Sequence, residues 1–150
     1  MGIEVSFYHL ERQNVEVALP KLLEKVLSAG HRAAVFLADD AAVKALDEAL
    51  WTYDPASFLP HGSTDTPHPE LQPVYLTSGQ DVPNGADIAV QINAASAPAL
   101  SAFKRCLYMF DGRDEAILGQ ARADWKSLKD DGHSVTYWQQ GQSGGWEKKA

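Results

Sequence analysis

A largely parallel β-sheet flanked by helices, in a single α/β domain, is what this sequence predicts, and three observations lead there. Strand-like and helix-like segments alternate from the start of the chain, the mark of parallel β-α-β units. The run HRAAVFLA is largely apolar rather than alternating, as in strands covered on both faces, and RCLYMFD, with its apolar centre CLYMF, reads as a strong strand. The chain has 150 residues, 45% of them hydrophobic and 22% charged, enough for one core without disulfides or a metal as staples.

The elements follow in order. IEVSFYHL, at 3–10, is β-branched and aromatic and reads as the first strand. Asn14 is placed to cap a helix over 15–30, with Leu19, Leu22, Leu23, Val26 and Leu27 on its buried face. Pro20 belongs to the early turns of that helix, and Gly30 stops it. Residues 31–38 form a second, fully covered strand. A helix over 39–51 follows, capped by Asp39 or Asp40. Residues 54–72 hold four prolines and read as a long loop. Strands are predicted at 73–78, 86–93 and 105–111, with a short helix at 97–103. The longest helix spans 113–131 and ends at Gly132, and a last strand covers 133–140. The domain is expected to run over 1–140, and 141–150, with Trp146, to form a frayed tail.

Composition narrows the function. The net charge of -7 argues against a surface that grips nucleic acid, because phosphate binding needs clustered Lys and Arg. The lone Cys106 sits in an apolar run and reads as a buried strand thiol of a reducing compartment. No segment resembles a signal peptide or a membrane span, so a soluble cytoplasmic protein is expected.

A Rossmann-like sheet invites a search for a nucleotide site. The stretch after the first strand, HLERQN, has no glycine, and both the dinucleotide fingerprint and the P-loop are absent. No nucleotide cofactor is expected. Asp39, Asp40 and Asp111 follow strands and could gather around magnesium in a receiver-like domain or small enzyme. A receiver, however, places its acidic pair after the first strand, and here the simpler roles are helix cap and turn. His61, Asp65 and His68 lie in a Pro-rich loop at loose spacing, so no metal site is expected.

The long C-terminal helix carries the one unusual surface. At 100° per residue, Ile117, Ala121 and Leu128 form the core stripe, with Leu118 and Trp125 at roughly 80° to 100° from it. Arg122, Lys126 and Lys129 follow, at roughly 120° to 180°. A cationic band beside an indole and a leucine, on an acidic protein, suits a ligand that is both acidic and apolar.

Several motifs together resemble one family. LDEALWTYDPASFLPHG, at 46–62, looks like a family pattern of helix, tryptophan and then Ser-Phe-x-Pro-His; VSFYHL, DIAVQIN and ARADWK also fit. The chain resembles the chi subunits of bacterial DNA polymerase III. That resemblance implies a non-catalytic accessory subunit of a DNA-directed DNA polymerase, with a Rossmann-like fold and no cofactor. It implies two partners: the acidic, Phe-terminated C-terminal tail of single-stranded DNA-binding protein, and the psi subunit of the clamp loader. For the tail it implies Arg122, Trp125 and Lys126, with Lys129 and Leu118 alongside, although Leu118 departs from the family's basic residue. For psi it implies Trp51, Phe58, Pro60 and His61. Tight binding of bare nucleic acid and membrane association are not expected.

Overall fold

The computed structural model describes residues 2–52, 61–63, 69–79, 82–95, 100–141 and 145–149. The β-branched and aromatic opening forms β1 (Glu4–Leu10), and α1 (Val15–Ser28) follows. Then come β2 (Ala33–Phe36), α2 (Asp40–Thr52), β3 (His61–Ser63), β4 (Val74–Thr77), β5 (Ile88–Ile92) and β6 (Arg105–Asp111). The chain closes with α3 (Glu115–Asp130), β7 (Ser134–Gln140) and β8 (Trp146–Lys148). The strands make one sheet in the order β3-β4-β2-β5-β6-β1-β7-β8. Every pairing is parallel except that of β8 with β7.

This order decides which helix covers which face. From β1 the chain passes through α1 across β6 and β5 to β2. From β6 it passes through α3 the other way, across β1, to β7. Crossovers of one hand that run in opposite directions leave their helices on opposite faces. Thus α1 and α2 bury Leu19, Leu23, Leu46 and Leu50 against Leu10, Val35, Leu76, Val90 and Leu107. On the other side, Ala121 of α3 joins a second cluster with Phe7, Phe36, Ala89, Tyr108 and Phe110. Phe7 stacks on Tyr108 with ring centroids 4.3 Å apart, and each such fully buried side chain stabilises the fold by roughly 1.5–3 kcal/mol.

The ends of α3 are set by local chemistry. The Asp114 carboxylate accepts from the Ala116 and Ile117 N–H groups, and Gly132, at φ +93°, turns the chain out of the helix. In mid-helix, the Tyr108 hydroxyl donates to Asp124 Oδ2 at 2.5 Å and fastens α3 to β6. At the other helix start, Asp39 accepts from the Ala42 N–H, so it is Asp39 of the two candidates that caps α2. Pro20 lies at the sixth position of α1, buried, and Leu22 and Leu27 are half-buried rather than enclosed.

Three sequence expectations change. The stretch 54–72 was expected to be all loop, yet His61–Ser63 pair with β4; a three-residue edge strand takes its register from its neighbour's backbone and has no periodicity to read. The helix expected at 97–103 is a single 3-10 turn at Leu100–Ala102, with 97–99 outside the described residues. Where a frayed end was expected, Trp146–Lys148 pair antiparallel with β7, and the Trp146 ring meets Tyr8 edge-on at 5.2 Å. Burial of the indole favours that pairing.

One side chain closes the β1–α1 turn. Gln140, at the end of β7 and 2% exposed, accepts through Oε1 from the N–H groups of Glu11 (3.3 Å), Arg12 (2.8 Å) and Gln13 (3.2 Å). Its Nε2 donates to Gln13 Oε1 at 3.0 Å. We expect Gln140→Ala to cost about 2 kcal/mol, since it leaves several donors without an acceptor. Denaturant unfolding measures that loss, and hydrogen exchange should speed up first at amides 11–13; protection there equal to the parent's would contradict the assignment.

Candidate functional site

In open parallel sheets, ligands bind at the carboxyl ends of adjacent strands whose connections leave in opposite directions. Here that point lies between β6 and β1. A cleft of about 520 Å³ opens there, between these strand ends, β7 and α3.

Periodicity brings the lining residues together. Along β1, Val5, Phe7 and His9 point to the α3 side, and parallel register sets Phe7 beside Tyr137 and His9 beside Gln139. Along α3, Leu118, Arg122 and Trp125 recur at helical spacing and form the facing wall. Trp125 is half-buried, edge-on to both Phe7 and Tyr137 with centroids 5.4 Å apart. Arg122 is exposed and has no ion pair among the described residues.

His9 lies under the cleft, 7% exposed, its Nδ1 2.6 Å from the Tyr137 hydroxyl. Its Nε2 is buried and lies 3.5 Å from Glu11 Oε1. Glu11 in turn accepts from Gln139 Nε2 at 2.6 Å. A Cβ at Gly112 would stand 1.9 Å from His9 Nε2, so only glycine fits after β6. Burial, aided by Arg122, pushes the His9 pKa below the ordinary imidazole value, although Glu11 and Asp111 pull the other way.

The cleft can therefore hold an apolar group against Trp125 and Leu118 while Arg122 forks onto an anion. The loop amides that would meet a pyrophosphate in a dinucleotide-binding fold are taken by Gln140.

The other candidate residues are scattered. Lys126 and Lys129 are exposed on α3 and do not line the cleft. Trp51 is 57% exposed at the end of α2, its ring 4.7 Å from that of His61. His61 itself is buried on β3 with Nε2 3.0 Å from Asp47 Oδ1, while Phe58 and Pro60 lie outside the described residues.

The acidic trio does not converge. Asp39 caps α2, and Asp40 accepts from Ser78 Oγ. Asp111 pairs bidentately with Arg113 at 2.9 Å, and that guanidinium holds its carboxyl below the usual range. Strand β5 separates β2 from β6, about 10 Å in all. Among the described residues no three His, Cys, Asp or Glu side chains are grouped to hold a metal; Asp65 and His68 lie outside them. Cys106 is fully buried, and burial pushes its thiol up to about 12, which suits a packing residue rather than a nucleophile. No helix among the described residues is long and apolar enough to cross a membrane.

Sequence reasoning missed His9, Gly112 and Tyr137. Each sits in a stretch read only as strand or turn, and their meeting depends on sheet order. The one available signal was a histidine near the end of an otherwise apolar first strand.

Two comparisons bear on this arrangement. The sequence model of a family described as DNA polymerase III chi subunit, HolC, matches residues 3–136. A relative from Rickettsia prowazekii (strain Madrid E), described as a probable DNA polymerase III subunit chi, is 29% identical over 107 residues. That alignment covers 71% of this chain and 65% of the relative, so the chain spans less than two thirds of the relative's length.

The buried His9 makes stability depend on pH. Its lowered pKa means that the unfolded chain takes up this proton more readily than the folded one. The contribution is present above the ordinary histidine value of about 6.5 and is lost as pH falls through the lower folded value. We expect His9→Gln to flatten the loss of stability just below about pH 6.5, read as unfolding midpoints over a pH series. An unchanged slope would show that His9 takes its proton as readily in the folded state.

Proposed function

Because the chain belongs to the DNA polymerase III chi subunit family, we propose that it is an accessory subunit without catalysis of its own, linking the clamp loader to single-stranded DNA-binding protein in the cytoplasm. Membership places it among replication proteins; the meeting of Arg122, Trp125 and Leu118 in one cleft supports the link itself. The ligand is the acidic tail of single-stranded DNA-binding protein, which ends in phenylalanine. Its terminal carboxylate pairs with the Arg122 guanidinium, which offers two parallel donors. Its phenyl ring lies against Trp125 and Leu118. Its aspartates meet Lys126 and Lys129 loosely, in water, through contacts that fade as salt rises. No cofactor takes part, and the hold of Gln140 on the loop amides supports that reading.

The psi subunit, where present, docks at Trp51. A tryptophan 57% exposed beside the buried His61 is the composition of an interface anchor, and Phe58 and Pro60 belong to the same stretch of sequence.

Titration with a fluorescent tail peptide tests the cleft. Arg122→Ala should weaken binding by on the order of 2 kcal/mol, because it strands a desolvated carboxylate. Lys129→Ala should cost well under about 1 kcal/mol, as exposed pairs do. Parent-like binding by Arg122→Ala, or indifference to removal of the terminal phenylalanine, would defeat the assignment.

A further inference from the structure

On the side opposite that cleft, the described residues cover only half of the sheet. There α1 packs on β6 and β2, and α2 on β3 and β4; among the described residues no helix has its main contacts with β1, β7 or β8 on that side. Parallel sheets ordinarily carry helices on both faces. The bare half is aromatic. Register sets Tyr8 beside Trp138 and Gln140 beside Trp146, and all three aromatics are half-buried.

A groove of about 1080 Å³ runs between this surface and α1, with Tyr8, Met109 and Trp146 on its floor and Leu22 on its wall. It matches the upper end of the roughly 300–1,000 Å³ of small-molecule sites. It also runs beside a helix of 14 residues, about 21 Å long. Lys21 and Lys25 stand on the α1 lip one helical turn apart, with no ion pair among the described residues. At the base, Arg105 leans towards Glu4 at 3.7 Å and keeps a buried Nε without a partner. Around the groove Lys21, Lys25, Lys104 and Arg105 outnumber Glu4 and Glu16, a positive balance on a chain of net charge -7.

We propose that this groove docks an acidic amphipathic helix of a partner protein, its apolar stripe on Tyr8, Met109 and Trp146 and its carboxylates against Lys21 and Lys25. A helix about 10 Å wide spans two strands spaced about 4.8 Å, so one laid beside α1 covers β1 and an adjoining strand, where no described helix has its main contacts. The site lies on the face away from Arg122 and does not depend on the tail-binding reading; both surfaces can be occupied together.

Photo-crosslinking tests this on the full chain in its native cells. Benzoylphenylalanine replaces Val17, which is 51% exposed and lines the groove. The expected adduct joins a peptide that is acidic and has apolar residues at helical spacing. The double change Lys21→Glu with Lys25→Glu should lower its yield about tenfold. The milder pair Lys21→Gln with Lys25→Gln should give a smaller reduction, and melting temperatures confirm that both variants fold. No adduct, a dimer of this chain, an adduct on a segment without that pattern, or a yield indifferent to the charge changes would overturn the proposal.

Discussion

Strand β1 pairs in parallel with β6 on one side and β7 on the other, and the chain must leave it and return twice to build those neighbours. One departure goes towards β2 through α1, and the later connection from β6 runs the opposite way through α3. The opposed directions put the helices on opposite faces and open a gap where no loop crosses. The position of the cleft therefore precedes any choice of side chains in it. Residues distant in sequence, His9, Gly112, Arg122 and Tyr137, meet there because three strand ends and one helix converge.

The sheet explains a division of labour among the surfaces. On the α3 side the aromatic core continues outward, from Phe7 through Trp125, until it reaches solvent beside a guanidinium. On the α1 side the core of branched aliphatics gives way at β1 to Tyr8, Trp138 and Trp146, beyond the helices among the described residues. At the far end of α2, Trp51 stands clear of both. On an acidic chain, positive charge beside half-buried aromatics marks where an anionic, partly apolar ligand would gain most from contact.

Much of the architecture was legible because its signals are local. Apolar runs marked the central strands, and 3.6-residue periodicity marked α1 and α3. On α3 it set Ala121 inside and Arg122 outside, as the structure has them, but Ile117 and Leu128, expected in the core stripe, are half-buried like Trp125 and Leu118. Features set by distant backbone were not legible. His61–Ser63 and Trp146–Lys148 are three-residue strands without a period of their own, and each takes its place from a longer neighbour. The same holds for the buried side of the cleft: nothing near His9 in sequence announces Tyr137 or the glycine that makes room for its ring. The order of side chains along α3 could be read because one helix carries them; that Lys126 and Lys129 stand outside the cleft could not.

The carboxamide of Gln140 has a consequence for timing. In proteins whose first loop holds a nucleoside phosphate, the bound and spent forms of that ligand give the molecule two states and a clock that runs at the rate of hydrolysis. Here a side chain of the protein itself fills the place in front of the loop amides, and it cannot be spent or exchanged. The hold on the loop is then built into the chain and not borrowed from a ligand. A molecule built this way would hold a partner according to how much of it is present, as a coupling engages whenever its counterpart is within reach and carries no memory of the last engagement.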